Sequence, residues 1–153
     1  MQIFLVGVLV VHSFIGGFLY KTLYRSRHLF SDRFSSITTI ACSTVFSVVV
    51  GVNLFMLIPE NIIFIGGVNL FLGTAIGVMF GFMVNIQSFI AGIFNGGMGG
   101  IMGTMIGAVA LDPTICSLPA TTLSLESTIL FFSLFSTVLL VITAALLYFA
   151  LRV

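Results

Sequence analysis

The chain has 153 residues, of which 59% are hydrophobic and only 6% charged, and its formal net charge is +1. A soluble domain carries about 25% charged residues, so this composition excludes a water-soluble fold. So small a charge gives nucleic acid nothing to bind and leaves the lipid bilayer as the expected partner.

A helix needs about 20 apolar residues to cross the ~30 Å hydrocarbon core. Five runs qualify: Met1 to Tyr20, Ser36 to Ile58, Ile62 to Val84, Ile86 to Leu111 and Ile129 to Leu151. The predicted fold is all-α, a single transmembrane domain over residues 1–153 with five transmembrane helices. The spans use nearly the whole chain and leave no room for a soluble catalytic domain, so no enzyme is expected.

The first run is rich in Leu, Val and Phe, with His12, Ser13, Gly16 and Gly17 as its unusual members. Its positive charges follow the apolar stretch instead of preceding it, so it reads as a retained helix and not as a secretory signal. His12 is the one acidic or basic side chain inside the predicted spans. Intramembrane charges mark proton and ion pathways, and their scarcity argues against an ion-coupled pump. His12 itself reads better as a neutral imidazole bonded to a hydroxyl or carbonyl than as a titrating or metal-binding group. Catalysis needs a nucleophile and a base held together, and the sequence identifies no partner for it.

Four of the five basic residues, Lys21, Arg25, Arg27 and Arg33, follow that run, and Arg152 lies at the far end of the fifth. The positive-inside rule places the first connection in the cytoplasm and the N-terminus outside. Five crossings then bring the C-terminus to the cytoplasmic side. The expected location is the cytoplasmic membrane of a bacterium, as a multi-pass protein. With Tyr20, Tyr24 and His28, the basic connection has the composition of an interfacial anchor near anionic headgroups.

The second run carries Ser35, Ser36, Thr38, Thr39, Ser43, Thr44 and Ser47 and ends at a Pro59-Glu60-Asn61 turn. Hydroxyls of this kind bond back to the preceding turn or across to a neighbour, so this side is expected to face protein. Cys42 within the span and Cys116 in the outer loop cannot pair in one chain, no CxxC spacing occurs, and Cys42 reads as a small core residue. The string Gly51-Val-Asn-Leu-Phe55 recurs as Gly67-Val-Asn-Leu-Phe71 on either side of the turn. It sets Asn53 and Asn69 at similar depth on antiparallel helices, where an amide–amide hydrogen bond is expected in preference to an inverted repeat of transporter type.

From Ile62 to Leu111, fifty residues pass without a charge. Gly73, Gly77 and Gly81 repeat every fourth residue, as do Gly92, Gly96 and Gly100, with Gly99, Gly103 and Gly107 interleaved. These are small-xxx-small runs, which let helix backbones approach closely where lipid supplies no hydrophobic reason to associate. At about 100° per residue, the glycines of each helix share one sector and the methionines lie across from it. Only Asn85, Ile86 and Gln87 join the two spans, so helices three and four are predicted to form a central glycine-zipper hairpin. Their glycine sectors face each other, or one faces a second copy of the chain. Leu at Gly99 or Gly103 is expected to abolish assembly. The hairpin resembles those of rotor-ring subunits of rotary ATPases, but such subunits need a mid-membrane carboxylate and this stretch has none.

Met98, Met102 and Met105, with Met79 and Met83, raise Cu(I) handling, because soft thioethers suit that ion; His12 is the remaining metal candidate. The methionine sectors point apart, no capture segment lies outside the membrane, and packing or lipid contact is the stronger reading. No cofactor is expected. Asn53, Asn69 and Asn95 are read either as a polar path or as interhelical glue typically worth about 0.6–2 kcal/mol each, with glue favoured. Asp112-Pro113 stops the fourth helix, Pro119, Thr121 and Thr122 belong to an irregular loop, and Ser124 or Ser127 caps the fifth with Glu126 near its positive end. The fifth span, despite Ser133, Ser136, Thr137 and Thr143, is the expected lipid-facing helix.

Together these features point to a small membrane protein that works as a homo-oligomer or with other membrane subunits. Its expected activity is transport, as a passive channel or transporter subunit for a small solute or ion. The rival is a noncatalytic scaffold or accessory subunit whose glycine stripe docks onto a partner's helix, and Cu(I) handling ranks third.

Overall fold

A computed structural model describes residues 2–26, 32–59, 61–83, 85–116 and 124–151, with only the backbone of Asp32, Arg33 and Cys116. Arg27, His28, Glu60, Pro119, Thr121, Thr122 and Arg152 lie outside the described residues, as does the side chain of Cys116. Five helices account for almost all of the rest: α1 (Gln2–Ser26), α2 (Asp32–Leu57), α3 (Ile62–Gly81), α4 (Ile86–Leu111) and α5 (Leu125–Ala150). Each is long and apolar enough to cross a membrane, and the architecture is that of a multi-pass integral membrane protein.

The helix ends follow local chemistry. α1 runs six residues beyond the predicted Tyr20, because nothing between Lys21 and Ser26 breaks a helix and the basic side chains can extend from it into water. α2 begins at Asp32, four residues before the expected Ser36. α3 is capped by Asn61, whose side chain accepts a hydrogen bond from the Ile63 amide at 3.0 Å, and it stops at Gly81, short of Val84. α4 keeps its predicted bounds. Beyond it Asp112 accepts from the Thr114 amide and hydroxyl at 3.1 and 2.6 Å, and Pro113–Cys116 form a 3-10 turn in the loop expected to be irregular. Of the two serines proposed to cap α5, Ser124 does so and accepts from the Ser127 amide, which starts the helix four residues earlier than Ile129.

Contacts fix the directions. Gly73 lies against Gly96 and Gly77 against Gly92, so α3 and α4 are antiparallel; Gly99 meets Thr44 and Gly103 meets Val48, so α2 and α4 are parallel. Leu5 packs with Val52 and Met56 at one end of α2, and Leu23 with Cys42 towards the other, so α1 opposes α2. Helices α2, α3 and α4 form a close-packed trio. α1 and α5 flank it, joining α2 and each other through the Leu5–Val52–Met56–Ala110–Ile129 cluster and through Leu23, Cys42, Phe80 and Leu147. α5 turns Ser133 and Ser136 inward and leaves Phe131, Leu134, Phe135, Val138 and Ile142 exposed.

Candidate functional site

The trio is held where side chains are missing. A Cβ at Gly77 would fall on the Gly92 carbonyl oxygen and one at Gly92 on the Gly77 carbonyl; Gly73 and Gly96 are related in the same reciprocal way, and a Cβ at Gly100 would strike the Asn69 carbonyl. At Gly81 the obstacles are the Phe89 Cα and the Ser88 carbonyl, both at 2.8 Å. These approaches put α3 main chain directly on α4 main chain, the arrangement in which dispersion and weak Cα–H···O contacts act best.

The interleaved glycines serve a different neighbour. A Cβ at Gly99 would lie 2.9 Å from the Thr44 carbonyl oxygen, one at Gly103 2.6 Å from that of Val48, and one at Gly107 3.1 Å from the Phe55 Cβ. Thus Gly92, Gly96 and Gly100 receive α3 while Gly99, Gly103 and Gly107 receive α2, and α4 is wedged between them. Both glycine series are occupied within one chain. Sequence reasoning missed α2 as the second partner. The signal was present in Ser35, Thr39, Ser43, Ser47 and Gly51, small residues four apart that form a stripe complementary to α4.

Hydrogen bonds thread this seam. Ser35 and Ser36 of α2 meet the Ser88 hydroxyl of α4 at 3.2 and 3.4 Å. Further along, Ser47 donates to the Gly73 carbonyl at 3.4 Å. Asn69 then donates through Nδ2 to the Gly51 carbonyl at 3.1 Å and to the Thr104 hydroxyl at 2.7 Å, and Thr104 donates to the Gly100 carbonyl at 3.0 Å. Asn69 therefore ties all three helices together, with its Oδ1 buried and unpartnered.

The expected Asn53–Asn69 amide pair is not made. Asn53 bonds its own helix, donating to the Val49 carbonyl at 2.8 Å, because the closer partner for Asn69 is the bare carbonyl of Gly51. Asn95, half-buried on α4, likewise donates to the Ala91 carbonyl at 2.8 Å. The structure brings no two of the three asparagines into a shared hydrogen bond.

His12 is fully buried and meets the Thr137 hydroxyl of α5 through Nε2 at 3.0 Å. Thr137 in turn donates to the Ser133 carbonyl at 2.9 Å. With the hydroxyl proton directed there, the Thr137 oxygen is free to accept from His12 Nε2, so the histidine, Thr137 and the Ser133 carbonyl form one chain from α1 into α5. The histidine's partner was foreshadowed by the serines and threonine of α5 but not identifiable without the fold. Met98, Met102 and Met105 are 45%, 52% and 61% exposed on the outward face of α4, whereas His12 is enclosed between α1 and α5, so the metal candidates do not converge. Among the described residues no group of three His, Cys, Asp or Glu is placed to hold a metal ion. Cys42 is a free, buried thiol.

The structural class is a multi-pass helical membrane protein. Compared with protein-family models, curated proteins and solved structures, the chain matches none.

Proposed function

We propose that the protein is a transport-class membrane protein, a passive conduit for a small polar solute that works as a homo-oligomer or a channel subunit and whose path follows the α2–α3–α4 seam. The observation that carries this reading is the file of polar groups along the seam, from Ser35, Ser36 and Ser88, through Ser47 and the Gly73 carbonyl, to Asn69, Thr104 and the Gly51 carbonyl. On α2 the file runs from Ser35 to Gly51, about 24 Å at helical rise, most of a ~30 Å hydrocarbon core. The Gly73 and Gly51 carbonyls accept side-chain hydrogen bonds along it, and main-chain carbonyls are the groups that replace the hydration shells of permeating species in known filters. The seam lacks acidic and basic side chains, in keeping with passive flow. With the basic connection inside, the Asn69–Thr104 end of the file lies towards the outer face. The test is flux into proteoliposomes across a panel of small neutral solutes and monovalent ions. Accelerated entry of a panel member, slowed by Ser47→Val, supports the conduit; a purified, helical protein that passes none of them eliminates it.

A second reading, a noncatalytic scaffold or accessory subunit, is favoured by one observation: the outward faces of α3, α4 and α5 present Phe71, Phe94, Met102, Phe131 and Phe135 to the bilayer. On this reading a partner meets those side chains and not the glycines, which are already engaged. Weighing the complex in a native lipid disc and measuring its flux separates the two, since a second polypeptide without flux supports the scaffold and flux through copies of one chain supports the conduit.

A further inference from the structure

A lateral cleft of about 220 Å³ opens between α1 and α3, floored by Phe46 of α2 and walled by Ser13, Gly17, Ile76, Met79 and Phe80. It exists because α1 rests on α2 and α5, leaving a gap towards α3, and because Gly17 contributes no side chain: a Cβ there would meet nothing within 4 Å. From Ser13 to Tyr20 the cleft follows α1 for about 10 Å.

We propose that this cleft holds one acyl chain of an anionic phospholipid, with Lys21 and Arg25 receiving the headgroup. Two features fix the occupant. The first is the lining, which is almost wholly apolar and aromatic: Tyr20 packs edge-on to Phe80 at 6.0 Å, and Phe80 edge-on to Phe46 at 6.3 Å. Such a surface suits a hydrocarbon chain and offers a polar solute nothing. The second is charge. At the end of the cleft Tyr20 stacks on Tyr24 with centroids 6.2 Å apart, a pair of amphipathic rings of the kind membrane interfaces favour, and the exposed Lys21 and Arg25 are one turn apart beside them in sequence. Long basic side chains reach from such positions to the phosphate level. A basic side chain near an anionic surface contributes about a fivefold preference, so the pair favours an anionic over a zwitterionic headgroup by about 25-fold. The site stands on different residues from the seam and does not depend on the conduit reading.

The experiment uses the full chain in lipid discs of equal phosphatidylglycerol and phosphatidylcholine, with retained lipid identified by native mass spectrometry. The wild type is expected to keep one phosphatidylglycerol in preference to phosphatidylcholine. Lys21→Gln with Arg25→Gln should erase the headgroup preference while still retaining a lipid. Gly17→Leu, placed in open space, should fill the cleft and lose the lipid of either kind, with helicity by circular dichroism unchanged. Equal retention of the two lipids by the wild type overturns the proposal, as does unaltered retention by Gly17→Leu.

Discussion

The α2–α3–α4 trio and the α1–α5 flank are built from similar apolar material, yet their glycines do opposite things. In the trio a Cβ at Gly73, Gly77, Gly92, Gly96 or Gly100 would collide with main-chain atoms of the facing helix. On α1, Gly7 and Gly17 face open space, and the nearest atoms to a Cβ at Gly16 belong to the Phe46 ring, a side chain and not main chain. A glycine therefore matters in this membrane fold according to what its missing side chain admits. The trio admits backbone, and its shape is set by atoms that cannot rotate away. The flank is joined by side chains: the His12–Thr137 bond and two apolar clusters.

The largest effect that can break this contrast is expected at Gly77. Alanine there places its methyl on the Gly92 carbonyl, so the helices must separate. Overpacking usually costs about 1–3 kcal/mol and occasionally more, and with no side chain to absorb the strain the loss should reach about 3 kcal/mol. Reversible unfolding in mixed micelles measures it, and a Gly77→Ala protein as stable as wild type would refute the backbone contact. Gly99→Leu and Gly103→Leu should act similarly by driving α4 off α2, damaging the single chain before any assembly of chains.

Next in size is the polar tie. Asn69→Leu removes the hydrogen bonds to Gly51 and Thr104 and leaves a buried hydroxyl and carbonyl to find other partners. Interhelical bonds in membranes run to about 0.6–2 kcal/mol, and the upper part of that range is expected because three helices share this residue. On the flank, His12→Leu removes one such bond to Thr137 and should cost about 0.6–1 kcal/mol by the same scale. An equal or larger loss at His12 would show that the flank is as tightly specified as the trio.

The five helices were legible because burial in oil demands long uncharged runs, and the composition has almost nothing else. The glycine spacing on α4 was legible too, but its division of labour was not. Periodicity assigns residues to a sector, and the glycines that serve the two neighbours fall within the same one. Only the complementary stripe on α2, from Ser35 to Gly51, tells them apart, and a stripe of hydroxyls reads equally as a polar face. The Asn53–Asn69 pair failed for a related reason: equal depth says nothing of azimuth, and the glycine beside Asn53 exposes a better acceptor than the asparagine does. The His12–Thr137 contact joins residues 125 positions apart, a separation that no local pattern encodes.

The smallest predicted change has the opposite sign. Gly7 of α1 is exposed and has nothing within 4 Å of its absent Cβ. It does not enable a close approach, so only its backbone freedom remains, and in a helix that freedom is destabilising by roughly 0.5–1 kcal/mol relative to alanine. Gly7→Ala should therefore leave the protein as stable as wild type or raise its stability by up to about that amount, in the same micelle assay that registers the loss at Gly77. A clear loss at Gly7 would mean that α1 meets another backbone in the membrane, through a second chain lying against its open face. The contrast between trio and flank would then belong to the monomer alone, and the small residues of α1 would become the place to look for an oligomer.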